Sequence, residues 1–149
     1  MAMTNEEQST GGTARLECVA HILKVAGRPD VRRPTDTPEA LKALNDPFKI
    51  MEGQEYQWVV EFRVRDAAAV SVRYIHVVRR AGAKVDKIEQ MYGNFPPGDT
   101  VHTLLTGLEE SPTGVVTRAG LFNYGVALSA ENAEAVRYDF TVKFTKTWE

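Results

Sequence analysis

Two stretches of the chain alternate apolar and polar residues with a period of two, and they constrain the fold more than any other feature. The apolar positions of the first stretch, residues 56–64, are Tyr56, Trp58, Val60, Phe62 and Val64. Those of the second stretch, residues 136–144, are Val136, Tyr138, Phe140, Val142 and Phe144. Successive side chains of a β-strand point to opposite faces, so both stretches are predicted to be strands with one buried and one solvent-facing side.

Other strand patterns are separated by turn signals along the rest of the sequence. They occupy residues 14–25, 70–79, 84–91, 100–105, 115–120 and 121–128. In residues 14–25, the phase puts Leu16 and Cys18 on one face and His21 on the other. Thr37 followed by Pro38 predicts the start of a helix of about two turns. Because turns recur about every 8–12 residues, we predict an all-β fold: an antiparallel β-sandwich of about eight to nine strands with one short helix.

Length and composition limit the classes of protein that the chain can be. Its 149 residues, 43% of them hydrophobic, suffice for one domain with a core. Residues 14–149 are assigned to the sandwich, and the polar residues 1–13, which include Gly11 and Gly12, to a flexible tail. A net charge of −2 argues against nucleic acid as a partner. Since the sequence shows neither a membrane-spanning stretch nor a secretory signal, we expect a cytoplasmic protein without stable membrane insertion.

No motif in the sequence indicates catalysis, a metal or a cofactor. The single cysteine, Cys18, excludes an internal disulfide and a cysteine-built zinc site. His21, His76 and His102 lack the spacing of metal ligands, and we expect each at the surface or half-buried. The adjacent carboxylates Glu109 and Glu110 are expected at a solvated loop edge. We therefore expect neither an enzyme nor a metal site.

The aromatic residues allow two interpretations. Most of them lie at the inward positions of predicted strands, as Tyr74 does in residues 70–79. They could simply fill the core of a sandwich, and composition alone favours that interpretation. They could also line an apolar slot between two sheets that stand apart. Periodicity does not distinguish a filled core from a slotted one.

The order of short motifs resembles the Rho GDP-dissociation inhibitor family, over roughly residues 16–149. The matching pieces are EGxEY at residues 52–56, FRV at 62–64, Tyr74-Ile75, KVDK at 84–87, Met91-x-Gly93, Leu105-Thr106, EExPxG at 109–114, Arg118 and Trp148. The resemblance implies an immunoglobulin-like sandwich whose sheets part to receive the C-terminal isoprenoid, geranylgeranyl or farnesyl, of a Rho-type small GTPase. It also implies that the protein keeps the GTPase soluble and extracts it from membranes.

Site residues follow from the resemblance and from strand phase. Phe62, at the FRV phenylalanine, and Tyr138, where the family usually has tryptophan, are the expected lipid contacts. Further lipid contacts expected from strand phase are Trp58, Val60, Tyr74 and Phe140. Three carboxylates, Glu131, Glu134 and Asp139, are the expected contacts for a basic GTPase tail.

Two departures from the family pattern affect these expectations. Family members carry a longer N-terminal arm, and residues 1–13 are too short for switch-region contacts, so we expect the chain barely to slow GDP release. Residues 30–36, DVRRPTD, replace a more apolar segment and would change one wall of the slot. We expect a monomer with a prenylated GTPase as its partner. The alternatives are a general carrier of prenyl or acyl cargo and an immunoglobulin-like scaffold that binds no lipid.

Overall fold

The computed structural model describes residues 12–148, which form two packed β-sheets with two short helices. The first sheet consists of β1 (Arg15–Val25), β2 (Val31–Pro34), β4 (Glu55–Arg65), β7 (His102–Leu105) and β8 (Glu109–Glu110). The second consists of β3 (Phe48–Met51), β5 (Ala69–Arg80), β6 (Ala83–Phe95), β9 (Phe122–Ala130) and β10 (Ala133–Thr145). The helices are α1 (Pro38–Ala43) and α2 (Val115–Arg118). The all-β sandwich is confirmed. Of the expected tail, residues 1–11 lie outside the described part of the chain.

Strand pairing is antiparallel with one exception. The strand order is β2-β1-β4-β7 in the first sheet, with β8 beside β4, and β3-β10-β9-β5-β6 in the second. The exception is β3, which pairs in parallel with β10, with Phe48 opposite Val142. The sandwich is therefore not antiparallel throughout. Its ten described strands also exceed the predicted eight to nine, because the short β2, β3 and β8 carry too few residues to show a period.

A bulge in β1 changes which of its side chains face the core. The pairing of β1 with β4 shifts between Cys18 and Ala20, so Val19 is the extra residue. Before the bulge Leu16 and Cys18 face the interior; after it, the inward positions are odd-numbered and include His21. The predicted surface position of His21 is therefore wrong, and its side chain is fully buried.

The helices differ in how well the sequence predicts them. At the start of α1 the Thr37 hydroxyl accepts a hydrogen bond from the Ala40 N–H at 3.0 Å, as predicted. Residues 115–120, predicted as a strand, instead contain α2, and its Val115 and Val116 side chains are exposed. The β-branched residues suggested a strand, but here they have no neighbouring strand to pair with. Neither helix of residues 12–148 is long and apolar enough to cross a bilayer.

Candidate functional site

The interior between the sheets is built mainly from aromatic rings. The Trp58 ring on β4 has its centroid 4.8 Å from that of Phe140 on β10, 5.2 Å from Phe48 and 5.6 Å from Tyr124. Tyr124 and Phe140 stack on one another at 4.8 Å. Because these rings come from both sheets, they form one cluster that holds the sheets together.

All six residues expected to contact lipid lie inside this interior. Their exposed fractions do not exceed 7%, for Phe62, Tyr138, Trp58, Val60, Tyr74 and Phe140. Phe62 packs against the rings of Phe95 and His102 at 5.2 and 5.4 Å, towards the edge where β6 and β7 meet. The rings touch one another, so a lipid chain that entered between the sheets would have to displace some of them.

Two buried hydrogen bonds join a histidine to a tyrosine: one connects the two sheets, and the other lies within β5. The Nδ1 atom of His21 lies 2.7 Å from the hydroxyl oxygen of Tyr138, and that of His76 lies 2.8 Å from the hydroxyl oxygen of Tyr74. Burial lowers the pKa of His21 to about 3, with a smaller contribution from His76. Burial also lowers the pKa of His76 to about 4. Both rings are therefore neutral at physiological pH. The expected surface or half-buried position of His76 is also wrong, because its side chain is fully buried.

Two ring nitrogens of the interior have no hydrogen-bond partner among the described residues. They are Nε2 of His21 and Nε1 of Trp58, whose ring centroids lie 5.2 Å apart. An unpaired polar group in an apolar interior is unfavourable. The packing of this part of the core is therefore less favourable than that of a purely apolar core.

An opening lies at the end of the sandwich where β1 and β10 begin. Its cavity of about 460 Å³ is lined by Thr13, Ala14, Arg15, Leu16, Asp66, Glu134, Ala135 and Val136. We call it the Leu16–Val136 opening, after two of its lining residues: Leu16 of the first sheet belongs to the hydrophobic core, and Val136 of the second sheet packs against it. Two residues farther along their strands, Cys18 and Tyr138 are the next inward side chains, and Cys18 pairs with Phe62 across β1 and β4. The two favoured lipid contacts thus lie one step behind this opening.

The lateral edge of the sandwich between β2 and β3 is bridged by arginines. The guanidinium of Arg33 on β2 lies 4.5 Å from the centre of the Phe48 ring, and that of Arg28 lies 4.1 Å from the Trp148 ring. Arg33 also donates hydrogen bonds to the carbonyls of Asp46 and Pro47. These contacts join the two sheets at the segment that departs from the family pattern.

Several motif residues meet at a structural junction outside the aromatic interior. The Ser111 hydroxyl donates to the Met51 carbonyl at 2.7 Å and accepts from the Gln54 N–H at 2.8 Å. Arg118 forms an ion pair with Glu52 at 2.5 Å. The junction joins the turn between β3 and β4 to the segment between β8 and β9, so these residues have a structural role.

The three expected tail-binding carboxylates have different surroundings. Glu134 lines the Leu16–Val136 opening, and Glu131 lies in the turn between β9 and β10, near Arg73. Asp139 faces outward from β10 next to Gly125 of β9. Glu109, expected in a solvated loop edge, is instead half-buried beside Tyr56, and burial raises the pKa of its carboxyl.

The sequence reasoning missed three residues of the interior: His21, Phe48 and Tyr124. A bulge that shifts the phase of β1 conceals His21, whereas Phe48 lies on a strand of four residues. Tyr124 lies on a predicted strand and shows the inward phase, so its signal was present. No group of three or more His, Cys, Asp or Glu side chains suited to a metal ion occurs within residues 12–148.

The fold and its aromatic interior define the chain as an all-β sandwich. A comparison with solved structures agrees, since the C-terminal domain of wzt matches with a TM-score of 0.53. That match covers 93% of this chain and 78% of the other at 11% identity, and it concerns the fold alone.

Comparison with protein families identifies the group to which the chain belongs. The sequence pattern of the family described as "RHO protein GDP dissociation inhibitor" matches residues 3–146. The Rho GDP-dissociation inhibitor of Schizosaccharomyces pombe is 30% identical over 135 residues, which cover 86% of this chain and 65% of that protein. Rho GDP-dissociation inhibitor 1 of Homo sapiens is 26% identical over 102 residues, which cover 68% of this chain and 50% of that protein. The chain belongs to the Rho GDP-dissociation inhibitor family.

Two consequences follow from this membership. The family consists of regulatory inhibitors, which are not enzymes, in agreement with the expectation from the sequence. The chain spans only about half to two thirds of the length of these curated relatives.

Proposed function

We propose that the chain binds the C-terminal isoprenoid of a Rho-type small GTPase between its two sheets. It thereby keeps the GTPase soluble in the cytosol and extracts it from membranes. The observation that carries the proposal is the arrangement of Phe62 and Tyr138 directly behind the Leu16–Val136 opening in a member of this family. The protein acts as a monomer that holds one prenylated partner.

The free energy for this binding comes from removing hydrocarbon from water. Each CH₂ group that leaves water contributes about 0.8 kcal/mol, so a prenyl chain needs apolar surroundings comparable to a bilayer. The aromatic rings behind the opening provide such surroundings once their side chains rotate to admit the prenyl chain. The contacts nearest the opening are Phe62 and Tyr138, and those deeper in the sandwich are Trp58, Val60, Tyr74 and Phe140.

The peptide that precedes the prenylated cysteine would emerge beside Glu134. This carboxylate lines the opening, so it is suited to a basic residue of the GTPase tail. Glu131, in the turn before β10, and Asp139, farther along β10, do not line the opening and would meet a tail that runs along the second sheet. We therefore propose Glu134 as the first electrostatic contact of the tail.

A peptide titration tests the proposal. A fluorescent Rho-type C-terminal peptide is prepared with and without geranylgeranyl, and both forms are titrated with the protein. We expect saturable binding of the prenylated form only. Val136→Glu, which places a charge in the opening, should weaken binding at least about tenfold. The matched control is Val116→Glu on the exposed face of α2, which should leave the affinity unchanged. Equal affinities for both peptides, or for both variants, would contradict the proposal.

A general carrier of prenyl or acyl cargo is the second candidate. Burial of hydrocarbon behind the Leu16–Val136 opening is non-directional and does not depend on the sequence of the attached peptide, which favours this broader function. Competition by a farnesylated or acylated peptide of unrelated sequence separates the two. Equal competition would indicate the general carrier, whereas weak competition would support recognition of the GTPase tail. Failure of any lipid-bearing peptide to bind would leave a scaffold that binds no lipid.

A further inference from the structure

The outer side of the second sheet carries an excess of positive charge. The strand register places seven cationic side chains there: Lys49, Arg73, Arg79, Lys84, Lys87, Arg137 and Lys143. Only Glu89 and Asp139 are carboxylates on the same side, with Glu131 at one end. We call this surface the basic face. Its charge opposes that of the whole chain, which is −2.

The cations of the basic face are only partly neutralised. Glu89 forms ion pairs with Arg73 at 2.7 Å and with Lys87 at 3.5 Å. Within residues 12–148, no such pair involves Arg79 or Arg137, and both side chains are exposed. Arg79 lies on β5 and Arg137 on β10, on either side of β9. These two unpaired charges therefore lie on the two strands that flank β9.

The centre of the basic face is a shallow trough lined by apolar and charged side chains, among them the carboxylate of Asp139. The outward side chains of β9 are short, so those of β5 and β10 stand above them around a cavity of about 620 Å³. Ile75 and Val77 form one wall of the trough, and Met91, which is 60% exposed, lies beside Arg73. Cationic and apolar side chains thus share one surface.

We propose that the basic face docks on the surface of a membrane that contains anionic phospholipid. The cations cover an area and not a line, so the matching negative charge has to be spread over a surface. Strand addition is excluded at the trough, because β9 is already paired with β5 on one side and with β10 on the other. Arginine binds phosphate well because its planar guanidinium group can donate hydrogen bonds to two phosphate oxygens at once. Cationic side chains that come within about a Debye length of a membrane are attracted by its anionic lipids.

Docking through this face would serve a carrier that exchanges cargo with a bilayer. The proposal does not require that cargo, since it rests on charges and register alone. It can therefore be tested with vesicles that contain no prenylated molecule, so its failure is distinguishable from a failure of isoprenoid binding.

The experiment is co-sedimentation of the 149-residue protein with two kinds of vesicle. One consists of phosphatidylcholine, and the other contains in addition about 30% phosphatidylserine. We expect binding only to the anionic vesicles and a decrease with added salt. The variant Arg79→Glu/Arg137→Glu should lower the partition coefficient at least about tenfold. The matched control is Lys24→Glu/Lys42→Glu, which makes the same change of net charge on exposed residues away from the second sheet.

Three results would overturn the proposal. The first is equal binding to neutral and anionic vesicles. The second is an equal loss of binding in both double variants, which would mean that net charge and not the basic face governs it. The third is tight binding of soluble polyglutamate by a protein that ignores the anionic vesicles, which would assign the face to an acidic protein instead. All four substituted residues are exposed, and near-ultraviolet circular dichroism confirms that each variant is folded.

Discussion

The Nδ1 atom of His21 and the hydroxyl oxygen of Tyr138 lie 2.7 Å apart, so a buried hydrogen bond joins β1 of the first sheet to β10 of the second. The pair lies behind the Leu16–Val136 opening, where the two sheets would have to separate to admit a lipid chain. Separation at this point would break the bond. The same contact therefore contributes to stability and opposes opening.

Removal of the Tyr138 hydroxyl should destabilise the fold. In Tyr138→Phe, Nδ1 of His21 is left buried without a partner, which costs about 1–3 kcal/mol. Urea unfolding at neutral pH measures the loss. In the double variant His21→Leu/Tyr138→Phe both polar groups are gone, so the two effects should not add. Additive losses would show that the two side chains are not coupled.

Acid should destabilise the protein through its two buried histidines. The pKa of His21 is lowered to about 3 and that of His76 to about 4, so the folded protein binds fewer protons than the unfolded chain below about pH 6.5. Stability is therefore retained above pH 6.5 and falls as the pH drops towards 4. Between pH 7 and pH 5 we expect a loss of about 2–4 kcal/mol from the two together.

Urea unfolding at several pH values tests this expectation. His21→Gln should reduce the slope of stability against pH, whereas a surface substitution such as Lys24→Gln should preserve it. A slope that is the same in His21→Gln as in the unsubstituted protein would mean that His21 is not the buried, neutral group described above.

Ser111→Ala tests the junction built from motif residues. The substitution leaves the Gln54 N–H and the Met51 carbonyl without their partner, and the site is buried. We expect a loss of about 1–3 kcal/mol in the free energy of unfolding. Ser129→Ala, on the outer side of β9, is the matched control and should change stability by less than about 0.5 kcal/mol. If the two variants are equally stable, the junction contributes nothing.

A charge at Phe62 should abolish binding of a prenylated peptide. In Phe62→Asp an unpaired carboxylate would lie against hydrocarbon, which is strongly unfavourable. The near-ultraviolet spectrum shows whether the variant is folded, and Phe62→Ser is the milder substitution if it is not. Phe62→Leu, the apolar control, should keep most of the affinity. Full affinity in a folded polar variant would exclude Phe62 from the site.

The long, regular strands could be predicted from the sequence because their alternation is uninterrupted. The inward phase of residues 56–64 and 136–144 correctly placed Trp58 and Phe140 in the interior. A single extra residue, Val19, reverses the phase of β1 after Cys18, so His21 was assigned to the wrong face. Alternation alone does not reveal a bulge, because its position depends on pairing with β4.

The location of charged and open surfaces depends on register, which local patterns do not determine. Glu134 and Asp139 are close in sequence but lie in different surroundings: Glu134 belongs to the irregular start of β10, between Ala133 and Val136, and Asp139 to its regular part. The parallel pairing of β3 with β10 likewise brings Phe48 into the interior from a strand of four residues. The basic face emerges only when residues from five strands are assembled into one sheet.

Energy transfer from Trp58 to a dansyl-labelled geranylgeranyl cysteine tests isoprenoid binding between the sheets most directly. Trp58 is fully buried in the interior, and Trp148→Phe leaves it as the only tryptophan. If the isoprenoid enters between the sheets, its binding should quench Trp58 emission in a saturable way, and Val136→Glu should abolish the quenching. Binding of the labelled lipid without quenching of Trp58, or no binding at all, would contradict a lipid site between the sheets.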